Sequence, residues 1–131
     1  MPRTVVTLTH NRFPEIIRAL PREAGEIVEE TVLDIETQIK VGMASSHNGE
    51  WYGSHQASAP GEMPAIDTGA LAASIQTDVQ RTKGTVYTNS EYAEFLEYGT
   101  VNMEARPYMT PAAEAARGPF LRKLRALESR L

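Results

Sequence analysis

The stretch Pro21–Gly42, PREAGEIVEETVLDIETQIKVG, decides how the chain is built. Ala24, Val28, Val32, Ile35 and Ile39 recur at steps of three and four, which sets them on one stripe of an α-helix. Ile27 and Thr31 widen the stripe. Glu23, Glu26, Glu29, Glu30, Asp34 and Glu36 mostly take the other side. Pro21 lacks an N–H and suits a first helical position, so a break is predicted near Leu20. A shorter helical piece is predicted from Pro14 to Leu20. The long helix should lie on a core with one face in water, and the remaining chain must complete that core.

Working outward, Thr4–Thr9 (TVVTLT) is β-branched and reads as a strand, with a turn from Asn11 to Pro14. Residues 43–66 show neither period and are rich in Ser, Gly, His and Pro. They read as a long loop, and loops of that length are usually functional or disordered. Asp67 is placed to cap a short helical turn through Leu71 and Ala72. Ser74–Arg81 alternates, with Ile75, Thr77 and Val79 on one side. Thr82-Lys83-Gly84 is predicted to turn the chain, Gly84 taking a positive φ, and Thr85–Thr88 returns as the partner strand.

The segment YAEFLEYGTVNMEARPYM, Tyr92–Met109, reads as a short helix, a stop at Gly99 and an Arg-Pro-aromatic clamp. Ser90 is positioned to cap the helix start. Ala93, Phe95 and Leu96 fall on roughly one face, with Tyr92 and Tyr98 flanking. Arg106–Met109 is predicted to be a final strand. Thr110-Pro111 should open the last helix, and Gly118-Pro119 should interrupt it. Phe120, Leu124, Leu127 and Leu131 form its apolar stripe. The expected fold is one α+β domain over residues 1–131. A small, mostly antiparallel sheet of about four strands is packed by the long N-terminal helix, with a short helix and a C-terminal helix.

The net charge of −4 opposes sequence-specific duplex binding, which depends on neutralising phosphates. No apolar run approaches the ~20 residues of a membrane span, and no secretory signal is expected at the N-terminus. Cysteine is absent, so thiolate metal sites and disulfides do not arise. The charge is uneven. The long helix is acidic, whereas Arg117, Arg122, Lys123, Arg125 and Arg130 make the C-terminus basic. Either both faces are simply solvated, or the two ends attract within one chain or between copies.

Catalytic patterns are weak. His10, His47 and His55 lack metal-ligand spacing and read as solvated. Glu94, Glu97 and Asp67 read as surface carboxylates. No nucleophile elbow, phosphate loop or dinucleotide fingerprint occurs, and no cofactor or enzyme activity is expected. Trp51 and Tyr52 stand out in the polar loop. They anchor an interface or fold back on the loop's own base. The candidate interface residues are Trp51, Tyr52, Tyr98, Arg106 and Tyr108, with Glu26 and Glu30 on the acidic helix and Arg122 and Arg125 on the basic one. Arg106 is expected to pair with an acidic group of its own helix or of a neighbouring subunit.

The segment Ser58–Leu71, SAPGEMPAIDTGAL, followed by Ser74-Ile75, resembles a hallmark of siphophage tail-completion proteins. This is the tail-component family named after the tenth gene product of its lambdoid type phage. Tyr92-Ala93, Leu96–Thr100, Ala105–Met109 and Pro111-Ala112 follow in the family's order, and the acidic helix before the Pro-Gly loop also fits. The resemblance covers residues 20–127, and the Gly118-Pro119 interruption departs from it. It implies a virion protein that joins the tail to the head connector or stopper and meets the tail tube protein. It also implies a ring of identical subunits in the neck, and no catalytic residues. A ring needs two different complementary patches, and the acidic and basic helices are candidates for them. The alternatives are a tail terminator capping the tail tube, a small enzyme with a loop-borne site, and an adaptor for a host protein.

Overall fold

The computed structural model describes residues 4–7, 13–45, 47–49, 51–52, 55–64 and 69–131. Its elements in order are β1 (Thr4–Thr7), α1 (Phe13–Ala19), α2 (Pro21–Ala44), β2 (Trp51–Tyr52), β3 (His55–Gln56), α3 (Ala70–Ser74), β4 (Ile75–Gln80), β5 (Lys83–Thr88), α4 (Ala93–Tyr98) and α5 (Met109–Glu128). Leu8, Thr9, His10, the turn residues 11 and 12, Glu50 and the capping role of Asp67 lie outside the described residues.

The long helix follows its pattern closely. Pro21 stands in its first turn, and the chain breaks at Leu20 as predicted. Ala24, Val28, Val32, Ile35 and Ile39 are all buried, and the stripe runs on to Met43. Thr31 is also buried, and its hydroxyl donates to the Ile27 carbonyl at 2.8 Å, so it brings no unpaired polar group into the core.

Among the described residues, the main sheet has three strands in the order β1-β5-β4, all antiparallel, with β5 in the centre. It is smaller than the expected sheet of about four strands. β2 and β3 form a separate two-stranded hairpin within the stretch read as loop. Arg106–Met109 is not a strand, because Met109 already opens α5.

Along β5, Gly84, Val86 and Thr88 are buried in alternation, and the sheet packs on α2. The hairpin turn consists of Arg81 and Thr82, with Gln80 paired to Lys83. The positive φ of 55° falls on Arg81, not on Gly84. Gly84 answers a different need. A Cβ there would lie 2.4 Å from Val32 Cγ2 and 2.7 Å from Val28 Cγ1, so its bare backbone lets strand and helix approach.

α5 runs unbroken through Gly118-Pro119, against expectation. An interior proline costs a helix about 3 kcal/mol. Beyond it, Phe120, Leu124 and Leu127 are buried, each gaining roughly 1.5–3 kcal/mol on leaving water. Burial therefore outweighs the lost backbone bond. Leu131 lies past the helix end and is exposed. The Phe120 ring meets Phe13 of α1 edge-on, with centroids 6.4 Å apart, which brings α1 into the same core as α2, α5 and the sheet. Among the described residues, no helix is long and apolar enough to cross a membrane.

Replacing Gly84 by Ala should destabilise the protein by about 1–3 kcal/mol, because the methyl cannot enter without moving Val28 or Val32. Urea unfolding should show a lower midpoint with unchanged slope. An unaltered midpoint would mean that the helix and sheet have room to separate.

Candidate functional site

α4 has six residues, far too few to be stable from its own hydrogen bonds. It is held at both ends. Before it, the buried Thr88 hydroxyl accepts from the Ser90 N–H at 3.1 Å and shares a 2.7 Å hydrogen bond with Ser74. The Ser90 carbonyl then accepts from Ala93, while its hydroxyl sits 3.4 Å from the Tyr92 nitrogen. Ser90 thus supports the first turn largely through its backbone.

The second anchor is Glu97. Its side chain is not a surface carboxylate, since the residue is only 5% exposed. Oε1 accepts from the N–H groups of Tyr108 at 3.1 Å and Met109 at 2.8 Å, and Oε2 from Thr110 at 3.2 Å. A carboxylate on α4 therefore caps α5, at the end where the helix dipole favours negative charge. Thr110, the expected cap, instead lies within the helix as one of the capped donors.

Ala93 and Glu97, one turn apart, face inward, and Leu96 is partly buried against the core. Tyr92, Phe95 and Tyr98 consequently point outward at steps of three, 70%, 52% and 74% exposed. Phe95 was expected beside Ala93 and Leu96, but the inward turn of Glu97 rotates it into solvent. Val101, just beyond, is fully exposed.

Gly99 ends α4 with φ 77°, and its N–H donates to the Phe95 carbonyl at 2.8 Å. A Cβ there would lie 2.9 Å from both the Ala105 nitrogen and the Met103 oxygen. The following excursion is bridged between Thr100 and Met103 and returns to α4, where the Arg106 N–H donates to the Leu96 carbonyl at 2.6 Å. Among the described residues, the Arg106 side chain hydrogen-bonds to uncharged oxygens of its own chain. Nε reaches the Ser58 carbonyl at 3.3 Å and its hydroxyl at 3.1 Å, and Nη1 reaches the Glu104 carbonyl at 2.6 Å. The Gly61 N–H donates to the Ala105 carbonyl at 2.9 Å. The Pro-Gly segment and the Arg-Pro segment are thus clasped together across 48 residues of sequence.

Within the stretch read as a structureless loop, Glu62 joins Asn48 to Ala59. Its carboxylate accepts from Ala59 N–H at 2.6 Å, Asn48 N–H at 3.0 Å and Asn48 Nδ2 at 2.9 Å. The backbone N–H groups of Ala59 and Asn48 hold its carboxyl below the ordinary value of 4.5. His47, expected in solvent, is buried. Trp51 does not fold back on the base of the loop. It is 65% exposed on the β2–β3 hairpin. The Tyr52 and His55 side chains lie outside the described residues.

The other expected interface residues divide. Tyr108 is fully buried in the core, beside the α5 start that Glu97 caps. Glu26 lies exposed, 3.4 Å from Arg22 one turn before it. Glu30 meets Lys123 at 2.8 Å, so the acidic and basic helices do attract within one chain. This pair is exposed and worth about 0–1 kcal/mol. Arg122 and Arg125 remain exposed on the outer side of α5. Among the described residues, no three His, Cys, Asp or Glu side chains converge as a metal site.

Glu97 and Glu62 were not read as structural residues. The available signal for Glu97 was its position one turn after Ala93, on the inward side of a very short helix. Glu97→Ala should cost about 2–3 kcal/mol, and Glu97→Gln should also destabilise because its NH2 would face an N–H donor. Thermal and urea unfolding will measure both losses, and a wild-type Glu97→Gln would mean that shape rather than charge makes the cap. For Glu62, the lowered folded pKa means the unfolded chain takes up its proton first as pH falls. Its contribution is complete above about 4.5 and is lost as pH falls through the lowered value. The stability difference between wild type and Glu62→Gln should shrink as the pH of urea titrations falls from about 6 to about 3. A constant difference would detach the loop from this carboxylate.

Compared with protein-family profiles, characterised proteins and solved structures, the chain shows no significant match to any of them.

Proposed function

We propose that this chain is a structural protein of the virion neck of a long-tailed phage or prophage. In this reading it assembles as a ring and joins the tail tube to the head connector or stopper. Its role is contact rather than catalysis. The observation that carries the reading is the aromatic surface of α4. Tyr92, Phe95 and Tyr98 are held in water on a helix that Glu97 ties to the start of α5, that ends at Gly99 and that the Arg106 N–H joins at the Leu96 carbonyl. Large rigid aromatics kept exposed on a fixed backbone suit a surface made for a partner. Exposed Trp51 on its own hairpin offers a second such anchor. The residues of the tail-completion resemblance support the same reading, since Ser58–Gly61 and Ala105-Arg106 meet to fix this region.

In the phage or induced prophage that carries the gene, its deletion should leave filled heads and finished tails unjoined in electron micrographs. Complementation with Trp51→Ala should restore joining poorly, while the purified variant keeps its stability within about 0.5 kcal/mol, as an exposed substitution does. Joined, infectious particles without the gene product would rule out the neck role.

A further inference from the structure

We propose that the aromatic face of α4 docks onto the basic outer face of α5 in a second copy of this chain, head to tail. At roughly half to three-quarters exposure, Tyr92, Phe95 and Tyr98 offer on the order of 400 Å² of ring surface. That is about half of the ~800 Å² which each partner contributes to a standard interface, so a rim must supply the rest. The rim of α4 is acidic. Glu91 and Glu94 are exposed beside the rings, and no Lys or Arg occurs from residue 84 to residue 105.

The matching surface lies on the same molecule. Arg122 and Arg125, three residues apart, are exposed on α5, and Arg130 and Leu131 extend that surface past its end. Lys123 is already engaged with Glu30, whereas Arg122 and Arg125, like Arg117 and Arg130, are exposed. Guanidinium groups stack on aromatic rings and pair with carboxylates, and the α4 face presents both.

The two surfaces cannot meet within one copy. Glu97 fixes α4 at the N-terminal end of α5. Arg125 lies sixteen residues beyond Met109 (125 − 109), about 24 Å along a straight helix. Complementary patches at opposite ends of a rigid rod make a heterologous contact, which closes into a ring or propagates. The docking rests on the proposed neck role only for the expectation that it closes.

The test is sedimentation velocity on the purified 131-residue chain at low and high salt. The wild type should self-associate with rising concentration, and salt should weaken the association. Arg122→Glu with Arg125→Glu, and separately Glu91→Arg with Glu94→Arg, should each make association roughly tenfold weaker or more. An equimolar mixture of the two double variants should recover it, because both junctions are then oppositely charged. Since the chain has no cysteine, Phe95→Cys mixed with Arg125→Cys should also form the mixed disulfide in preference to either symmetric one. All five substituted positions are exposed, and circular dichroism will confirm that each variant folds. A wild-type chain that stays monomeric at high micromolar concentration in low salt would overturn the docking. So would charge reversals that leave association unchanged, or a mixture that does not recover. Those results leave the neck role standing, whereas joining of heads to tails without the gene removes that role and leaves the docking standing.

Discussion

The carboxylate of Glu97 is the interaction on which the arrangement of α4 against α5 depends. A six-residue helix has no stability of its own, and the first turn of a twenty-residue helix leaves donors without intrahelical partners. Glu97 answers both needs at once. Three N–H groups at the start of α5, those of Tyr108, Met109 and Thr110, share one buried carboxylate, and α4 is thereby fixed in place and in rotation. The rotation matters most. With Glu97 inward, Tyr92, Phe95 and Tyr98 have nowhere to go but outward. A buried charge makes the exposed rings.

The clasp between Arg106 and Ser58 extends this order to the long connection before β4. Among the described residues Arg106 meets neutral oxygens, and these contacts position backbone. Glu62 does the same from the other side of the connection, gathering Asn48 and Ala59. Surface that displays Trp51 and the α4 rings is thus braced by polar groups that a reader would place in water.

Periodic features were legible in the sequence. The α2 stripe, the break before Pro21, the β4–β5 pairing and the positive φ at Gly99 follow from spacing and from glycine and proline chemistry. What was not legible depended on partners distant in sequence. Thr110-Pro111 carries a sound local start signal, yet a carboxylate thirteen residues earlier supplies the cap. Gly84 sits where a turn glycine belongs, yet its role is set by Val28 and Val32 on α2. Pro119 reads as a break, and only the buried residues beyond it explain why the helix continues. For the site, the aromatic residues were found, but which of them faced outward was not. Tyr108 went inside and Phe95 outside, because Glu97 determines the facing.

The central position of β5 has a consequence for how the sheet comes together. On one side it pairs with β4 across a two-residue turn, and on the other with β1 from the far end of the chain. The nearest pair of the first ladder is Gln80 with Lys83; that of the second is Thr7 with Thr85, 78 residues apart (85 − 7). Closing the longer loop costs roughly 3 kcal/mol more chain entropy, at about 0.6 kcal/mol for each doubling of length. Local contacts that form fast therefore organise the hairpin, while the third strand waits on contacts of high order. Its register is settled by an edge that the rest of the molecule has to present first.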